Sequence, residues 1–156
     1  MARDHHYEIA LSWSGAAAGP TGDYKSYSRE YRFAAAGKPE QLGSADPAFR
    51  GDPALYNPEE LLVAALSSCH MLSYLALCAL QGVAVVAYQD AASGTMSETG
   101  GAGRFTEVVL RPRVTIARGG DLAKAEALHE KAHEICFIAA SVSFPVRHEA
   151  TIDEAA

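Results

Sequence analysis

At 156 residues, 49% hydrophobic and 21% charged, the chain has the size and composition of a single globular domain, residues 1–156, that buries its own core. A balance of 13 Lys and Arg against 19 Asp and Glu gives a net charge of −6, with no basic cluster along any one element, which argues against nucleic acid and membrane as partners. The N-terminus MARDHHYEIALSW lacks the apolar core and cleavage site of a signal peptide, so the cytoplasm is the expected compartment, and the 3 cysteines read as buried thiols, metal ligands or redox groups rather than a disulfide framework.

Residues alternate from His5 to Trp13 and from Tyr24 to Phe33, with SGAAAGPTGD between them, which predicts an N-terminal hairpin. In its second strand Tyr27, Arg29, Tyr31 and Phe33 share a face, so Arg29 is expected to point inward. Residues 34–57 carry Pro39, Pro47 and Pro53 with several glycines and no period, the pattern of a long loop. A helix opens at Asn57 as N-cap, with Pro58 in the first position and Glu59 and Glu60 in the first turn, where the helix dipole favours acids. It runs to Gly82, a residue suited to the left-handed position after a helix. The run LLVAALSSCHMLSYLALCAL approaches the length of a membrane span, but Ser67, Ser68, His70 and Ser73 lie at its middle and no Lys or Arg flanks it closely; a central buried helix is expected.

VAVVAYQD then reads as a strand, ASGTMSETGGAG as a loop, and RFTEVVLRPRVTIA as a long strand that Pro112 bends or places at an edge. From Asp121 to about Ala139 the helical period returns, with Leu128, Ala132, Ile135 and Ala139 as its apolar stripe, and SFPVRHEATI closes the chain as a strand. The order β-β-α-β-β-α-β, with two helices buried against antiparallel sheet, indicates the α+β class.

Two chemistries compete in HEKAHEIC, residues 129–136. His129, Glu130 and His133 spell the H-E-x-x-H of a zinc hydrolase, with two ligands on one helical face and a base between them. Such a site needs a third ligand further on; His148 and Glu149 are the available ones, and a helix rich in Glu, Lys, His and Ala matches so short a pattern by chance. The alternative places both histidines on the wet edge of an amphipathic helix. Among the thiols, Cys69 and Cys78 lie two and a half turns apart on opposite sides of the first helix and cannot pair. Cys136 borders the apolar stripe of the second helix, which leaves Cys69 with Cys136 as a conceivable pair, inert buried cysteines as the competing reading, and Cys78 as a small core hydrophobe.

NPEELLVAALSSCHM followed by AHEICFIAASVSFPV resembles the two motifs of the OsmC/Ohr family of bacterial thiol peroxidases, in the same order and over most of the chain. The resemblance implies the OsmC-like fold, an intertwined homodimer with two sites at the subunit interface, and hydroperoxide reduction by cysteine without a cofactor. It assigns Cys69 as the peroxidatic cysteine, Cys136 as the resolving one and Glu59 as the acid that steadies an arginine. Arg50, in DPAFRGDP before the first motif, corresponds in order to the arginine of OsmC-type members, and Arg29 is its rival. The implied cycle runs from a Cys69 thiolate through a sulfenic acid to a Cys69–Cys136 disulfide, which a lipoyl group or small dithiol reduces. Glu59 precedes Cys69 by ten residues, about 15 Å along a continuous helix, so Glu59 is expected to serve the Cys69 of a second chain or the arginine to bridge the gap. The spellings SSCHM and GSADPAFRGDP mark a divergent subfamily, for which a non-catalytic redox-sensing or small-ligand-binding role is the alternative. His70 is expected to be a satisfied core histidine, Phe137 a packing residue, and Tyr27 and Tyr31 core or pocket-wall aromatics.

Overall fold

The structure, a computed structural model, describes residues 3–156, and the chain divides into two compact units, one ending at Leu61 and the other running from Leu62 to Ala156. In the first unit β1 (Ala10–Trp13), β2 (Tyr31–Ala34) and β3 (Gln41–Gly43) form an antiparallel sheet in that order, with Tyr31 opposite both Trp13 and Gly43. The expected hairpin is present with shorter strands. Residues 24–29 leave the ladder because the Arg29 guanidinium donates to the carbonyls of Tyr24 and Tyr27, curling the segment, while the Trp13 indole donates to the Ser28 carbonyl at 2.8 Å. β3 arises inside the stretch expected to be loop. Its last residue has to be glycine, since a Cβ on Gly43 would stand 2.3 Å from the Tyr31 ring that packs flat against it. A turn of 3-10 helix follows at Pro47–Phe49, capped by the Asp46 carboxylate, which accepts from the Ala48 N–H at 2.7 Å.

The helix α1 (Pro58–Gln81) starts where its cap requires. Asn57 Oδ1 accepts from the Glu60 N–H at 2.8 Å and the Glu60 carboxylate accepts from the Asn57 N–H at 3.1 Å, a reciprocal capping box. Gly82, at φ 74°, ends it. Within the second unit, Leu66, His70, Tyr74 and Cys78, four residues apart, form the buried stripe of α1, and Ala64, Ser68, Leu72, Ala76 and Leu80 form an exposed one. The long apolar helix is therefore a core helix on one face and bare on another.

The rest of this unit holds β4 (Val85–Asp90), β5 (Ser93–Thr99), β6 (Ala102–Leu110), β7 (Pro112–Ile116), α2 (Leu122–Ile135), β8 (Val146–His148) and β9 (Thr151–Glu154), in two sheets of order β4-β7-β9 and β5-β6-β8. Four expectations change here. The segment read as a loop is β5, turned back by Gly100 and Gly101 at φ 64° and 81°; all its residues are exposed, so no alternation betrays it. The long strand is two, because Pro112 has no N–H to donate and the Arg111 N–H goes to the Asp90 carboxylate at 2.6 Å. The closing strand is also two, β8 parallel to β6 and β9 parallel to β7, so the sheets are mixed rather than purely antiparallel. Finally, α2 stops at Ile135, with Cys136 as its C-cap and Ile135 41% exposed. Tyr74, Cys78, Val114, Ile116, Ala125 and Ala132 fill one core, where α1, β7 and α2 meet. Leu66, Val108 and Leu110 centre a second, which Phe105, Phe144 and Val146 complete. The fold class is α+β.

Candidate redox site

Cys69 and Cys136 come together in the second unit. The two thiols are near enough for Cys69 to perturb the titration of Cys136, and no disulfide links them. Cys69 projects from the middle of α1 and is partly exposed, whereas Cys136 caps α2 and is 1% exposed. Burial, then the neighbouring Cys69 thiol, pushes the Cys136 thiol up to about 11, and the backbone groups of Ala139 and Ile138 pull it the other way. Those backbone groups lie beside the sulfur because the chain turns into the 3-10 turn Ala139–Ser141 directly after the cap, with the Ala140 N–H on the Cys136 carbonyl at 3.0 Å. Cys78 takes no part. It is buried in the core against Tyr74, and burial raises its thiol above the ordinary range. Phe137, expected to pack, is 76% exposed beside Cys136.

The histidines depart furthest from expectation. His129 is not on a wet edge: both it and His70 are 1% exposed, and His70 Nε2 lies 3.0 Å from His129 Nδ1. Tyr74 stacks on His129 at 3.8 Å between ring centroids and donates its hydroxyl proton to the Ala125 carbonyl. His148 lies 5.5 Å from His70 and 5.9 Å from His129 by centroid, and its Nε2 meets the exposed Glu130 carboxylate at 3.3 Å. His70 is only half satisfied, since its Nδ1, like Nε2 of His129, is buried with no hydrogen-bond partner among the described residues. Burial lowers His70 to about 4 and His129 to about 3, aided by the neighbouring histidines. With His129 turned to His70 and Glu130 to His148, the residues of the H-E-x-x-H pattern do not converge; among the described residues no three His, Cys, Asp or Glu side chains are grouped to hold an ion. Periodicity could not have paired His70 with His129. The one available signal was their shared place on apolar helical faces.

In the first unit, Arg29, Tyr31, Ser44, Asp46, Phe49 and Glu59 line a cavity of about 190 Å³. One Glu59 carboxylate oxygen is buried without a hydrogen-bond partner among the described residues. Burial, and then the Glu59 carboxylate, raises the Tyr31 phenol above its ordinary value. The Arg29 guanidinium lies 3.7 Å from the centroid of the Tyr27 ring and 4.8 Å from that of Tyr24. It also borders a larger apolar cavity of about 580 Å³, whose walls include Ile9, Leu11, Trp13, Tyr27 and Phe33. Arg50 lines neither cavity. It is exposed at φ 69°, a left-handed conformation uncommon outside glycine, and donates to the Lys25 carbonyl at 3.3 Å.

Comparison with known proteins places this geometry in a family. Residues 51–151 match the family model described as OsmC-like protein. The fold is similar to that of an OsmC-like protein of unknown function from Vibrio cholerae, with a TM-score of 0.86, 35% identity, and coverage of 95% of this chain and 100% of that one. It is also similar to an OsmC-like protein from Mycoplasma pneumoniae, with a TM-score of 0.73, 13% identity, and coverage of 97% and 99%. An organic hydroperoxide resistance protein from Elizabethkingia anophelis, crystallised with thiocyanate, has a TM-score of 0.67, 18% identity, and coverage of 98% and 100%. No curated protein matches the sequence.

Proposed function

This chain belongs to the OsmC-like protein family, and on that premise we propose that it is a thiol peroxidase that reduces organic hydroperoxides through Cys69 and Cys136. The juxtaposed thiols carry the reading: a partly exposed Cys69 next to a buried Cys136 is the order that attack and then resolution require. The Cys69 thiolate attacks one oxygen of ROOH, the O–O bond breaks, and a proton completes ROH, leaving Cys69 as sulfenic acid. The Cys136 sulfur displaces that hydroxyl, its own proton leaves with it as water, and the disulfide forms. An external dithiol, a lipoyl group or a small thiol pair, returns both cysteines to thiols and is itself oxidised. Structural relatives that carry the name organic hydroperoxide resistance protein support the peroxide assignment at family level.

A thiol near the ordinary value of about 8.5 is only a few per cent ionised at neutral pH, so Cys69 requires a cation. Arg29 fits the role better than Arg50: it lines the same cavity as Glu59, whereas Arg50 does not. In our reading Arg29 and Glu59 act on the Cys69 of a second copy in a homodimer, and the exposed α1 stripe and the apolar cavity beside β1 and β2 supply surface for that assembly. The same cavity, about 580 Å³, favours a second reading, a protein that binds an apolar ligand without turnover.

One experiment separates them. Reduced wild type, Cys69→Ser and Cys136→Ser are titrated with cumene hydroperoxide while free thiols are counted and disulfides mapped by mass spectrometry. Loss of two thiols per peroxide with a Cys69–Cys136 link in wild type alone is the expected result. Survival of every thiol in excess peroxide removes the peroxidase and leaves the ligand-binding reading.

A further inference from the structure

We propose that His70 and His129 are positioning residues for the Cys69–Cys136 pair, their buried hydrogen bond tying together the two helices, α1 and α2, that carry the thiols. The inference rests on reading those cysteines as a redox couple. His70 follows Cys69 directly on α1, and His129 precedes Cys136 by seven residues, two turns of α2. The two rings are parallel within 5°, with centroids 5.3 Å apart. That separation is as large as rings joined at 3.0 Å allow, so the bond lies in the plane of both.

Two features make this more than ordinary core packing. First, it is a buried polar cross-link between two helices, with Tyr74 stacked on His129 and the His148 ring 5.5 Å from that of His70. A buried polar pair with fixed geometry specifies one helix register where apolar contacts tolerate several. Second, the pair must stay neutral to work as it does. One nitrogen donates and one accepts, which leaves one outward N–H and one outward lone pair. A first added proton turns both outward nitrogens into donors, and neither has an acceptor among the described residues. The groups facing the pair are Asp90 on β4, which favours a charge on His70, and His133 on α2 and His148 on β8, which oppose it. Ser67, one turn before His70, holds the Asp90 carboxylate at 2.5 Å, and the Arg111 N–H holds its other oxygen. The acid is thereby engaged with α1 and the junction of β6 and β7 rather than with the imidazole.

The test needs no peroxide. Reduced protein is equilibrated with glutathione disulfide at pH 7, where Cys69–SH and Cys136–SH pass two electrons and two protons to GSSG, giving the protein disulfide and two GSH. Breaking the bond with His129→Ala is expected to lower the equilibrium constant about tenfold or more, because a disulfide held away from its preferred geometry is strained and more easily reduced. The double variant H70Q/H129N, whose amides place a donor and an acceptor where the two imidazole nitrogens meet, is expected to restore it. His70→Asn, too short to reach α2, is a second breaking variant should His129→Ala not fold. In wild type, oxidation of the cysteines is expected to move the ring ¹⁵N shifts of His70 and His129 in histidine-labelled protein. Breaking variants that exchange as wild type does, an amide pair that fails to rescue, or ring shifts indifferent to oxidation would overturn the proposal. If wild type forms the disulfide with glutathione but ignores peroxide, the peroxidase reading fails while the positioning role stands. A wild type that forms no Cys69–Cys136 link removes both.

Discussion

Cys69 is partly exposed where Cys136 is buried, and at the scale of single residues that difference orders the proposed chemistry. With Cys136→Ser, peroxide is expected to drive Cys69 past the sulfenic acid to sulfinic acid, read as a mass increase of two oxygens, because nothing resolves the intermediate. Arg29→Ala is expected to slow peroxide consumption on the order of 10²-fold or more, the loss that follows removal of one preorganised donor. Arg50→Gly should leave the rate near wild type and relieve a left-handed backbone. The histidine pair sets an acid limit. Both groups lie below their ordinary value of 6.5 in the fold, so the unfolded chain takes up protons first as pH drops. Their stabilising contribution is whole above about 6.5 and erodes toward 4 and then 3, by up to about 1.4 kcal/mol per pH unit for each titrating ring. Urea melts across that window should show the erosion, and H70Q/H129N should flatten it. The motifs made Cys69, Cys136 and Glu59 legible as candidates, since each stands in a fixed phrase, and the structure brings the two cysteines near each other. The His70–His129 bond was not legible, because it joins residues 59 apart and depends on where two helices cross.

Among the elements, α1 was readable at both ends because its signals are local: the Asn57 and Glu60 box at the start and the left-handed Gly82 at the stop. Asn57→Ala should cost about 1 kcal/mol in unfolding free energy, measured by denaturant titration, since it removes the side-chain acceptor of the Glu60 N–H. β5 left no trace because strand periodicity needs one buried face, and this strand has none. β3 was hidden by the prolines and glycines around it; what makes it a strand is a tyrosine from β2 lying on Gly43. The division of the long strand at Arg111 was half visible. Pro112 announced an interruption, but the Asp90 carboxylate that turns the interruption into a change of sheet comes from a distant strand.

For the molecule as a whole, the exposed α1 stripe is the feature a lone chain leaves uncovered. Leu72 is 63% exposed and Leu80 80%. In sedimentation experiments wild type is expected at twice the 16.5 kDa chain mass, and Leu72→Glu at the single mass with its circular dichroism retained. A wild type that sediments as one chain would remove the shared-site reading and leave Glu59 without a second copy to serve. The two sheets of the second unit carry a different consequence. β4 leads into β5, β6 into β7 and β8 into β9, so the orders β4-β7-β9 and β5-β6-β8 are one set of three long strands creased along a line. Arg111 staples that crease, with its side chain on Ser93 and Glu149 and its N–H on Asp90, while the Glu149 N–H reaches the Leu110 carbonyl. A pleat folded from continuous ribbons cannot fray on one side of the fold alone. The slowest-exchanging amides of both sheets should therefore open together, as one cooperative block.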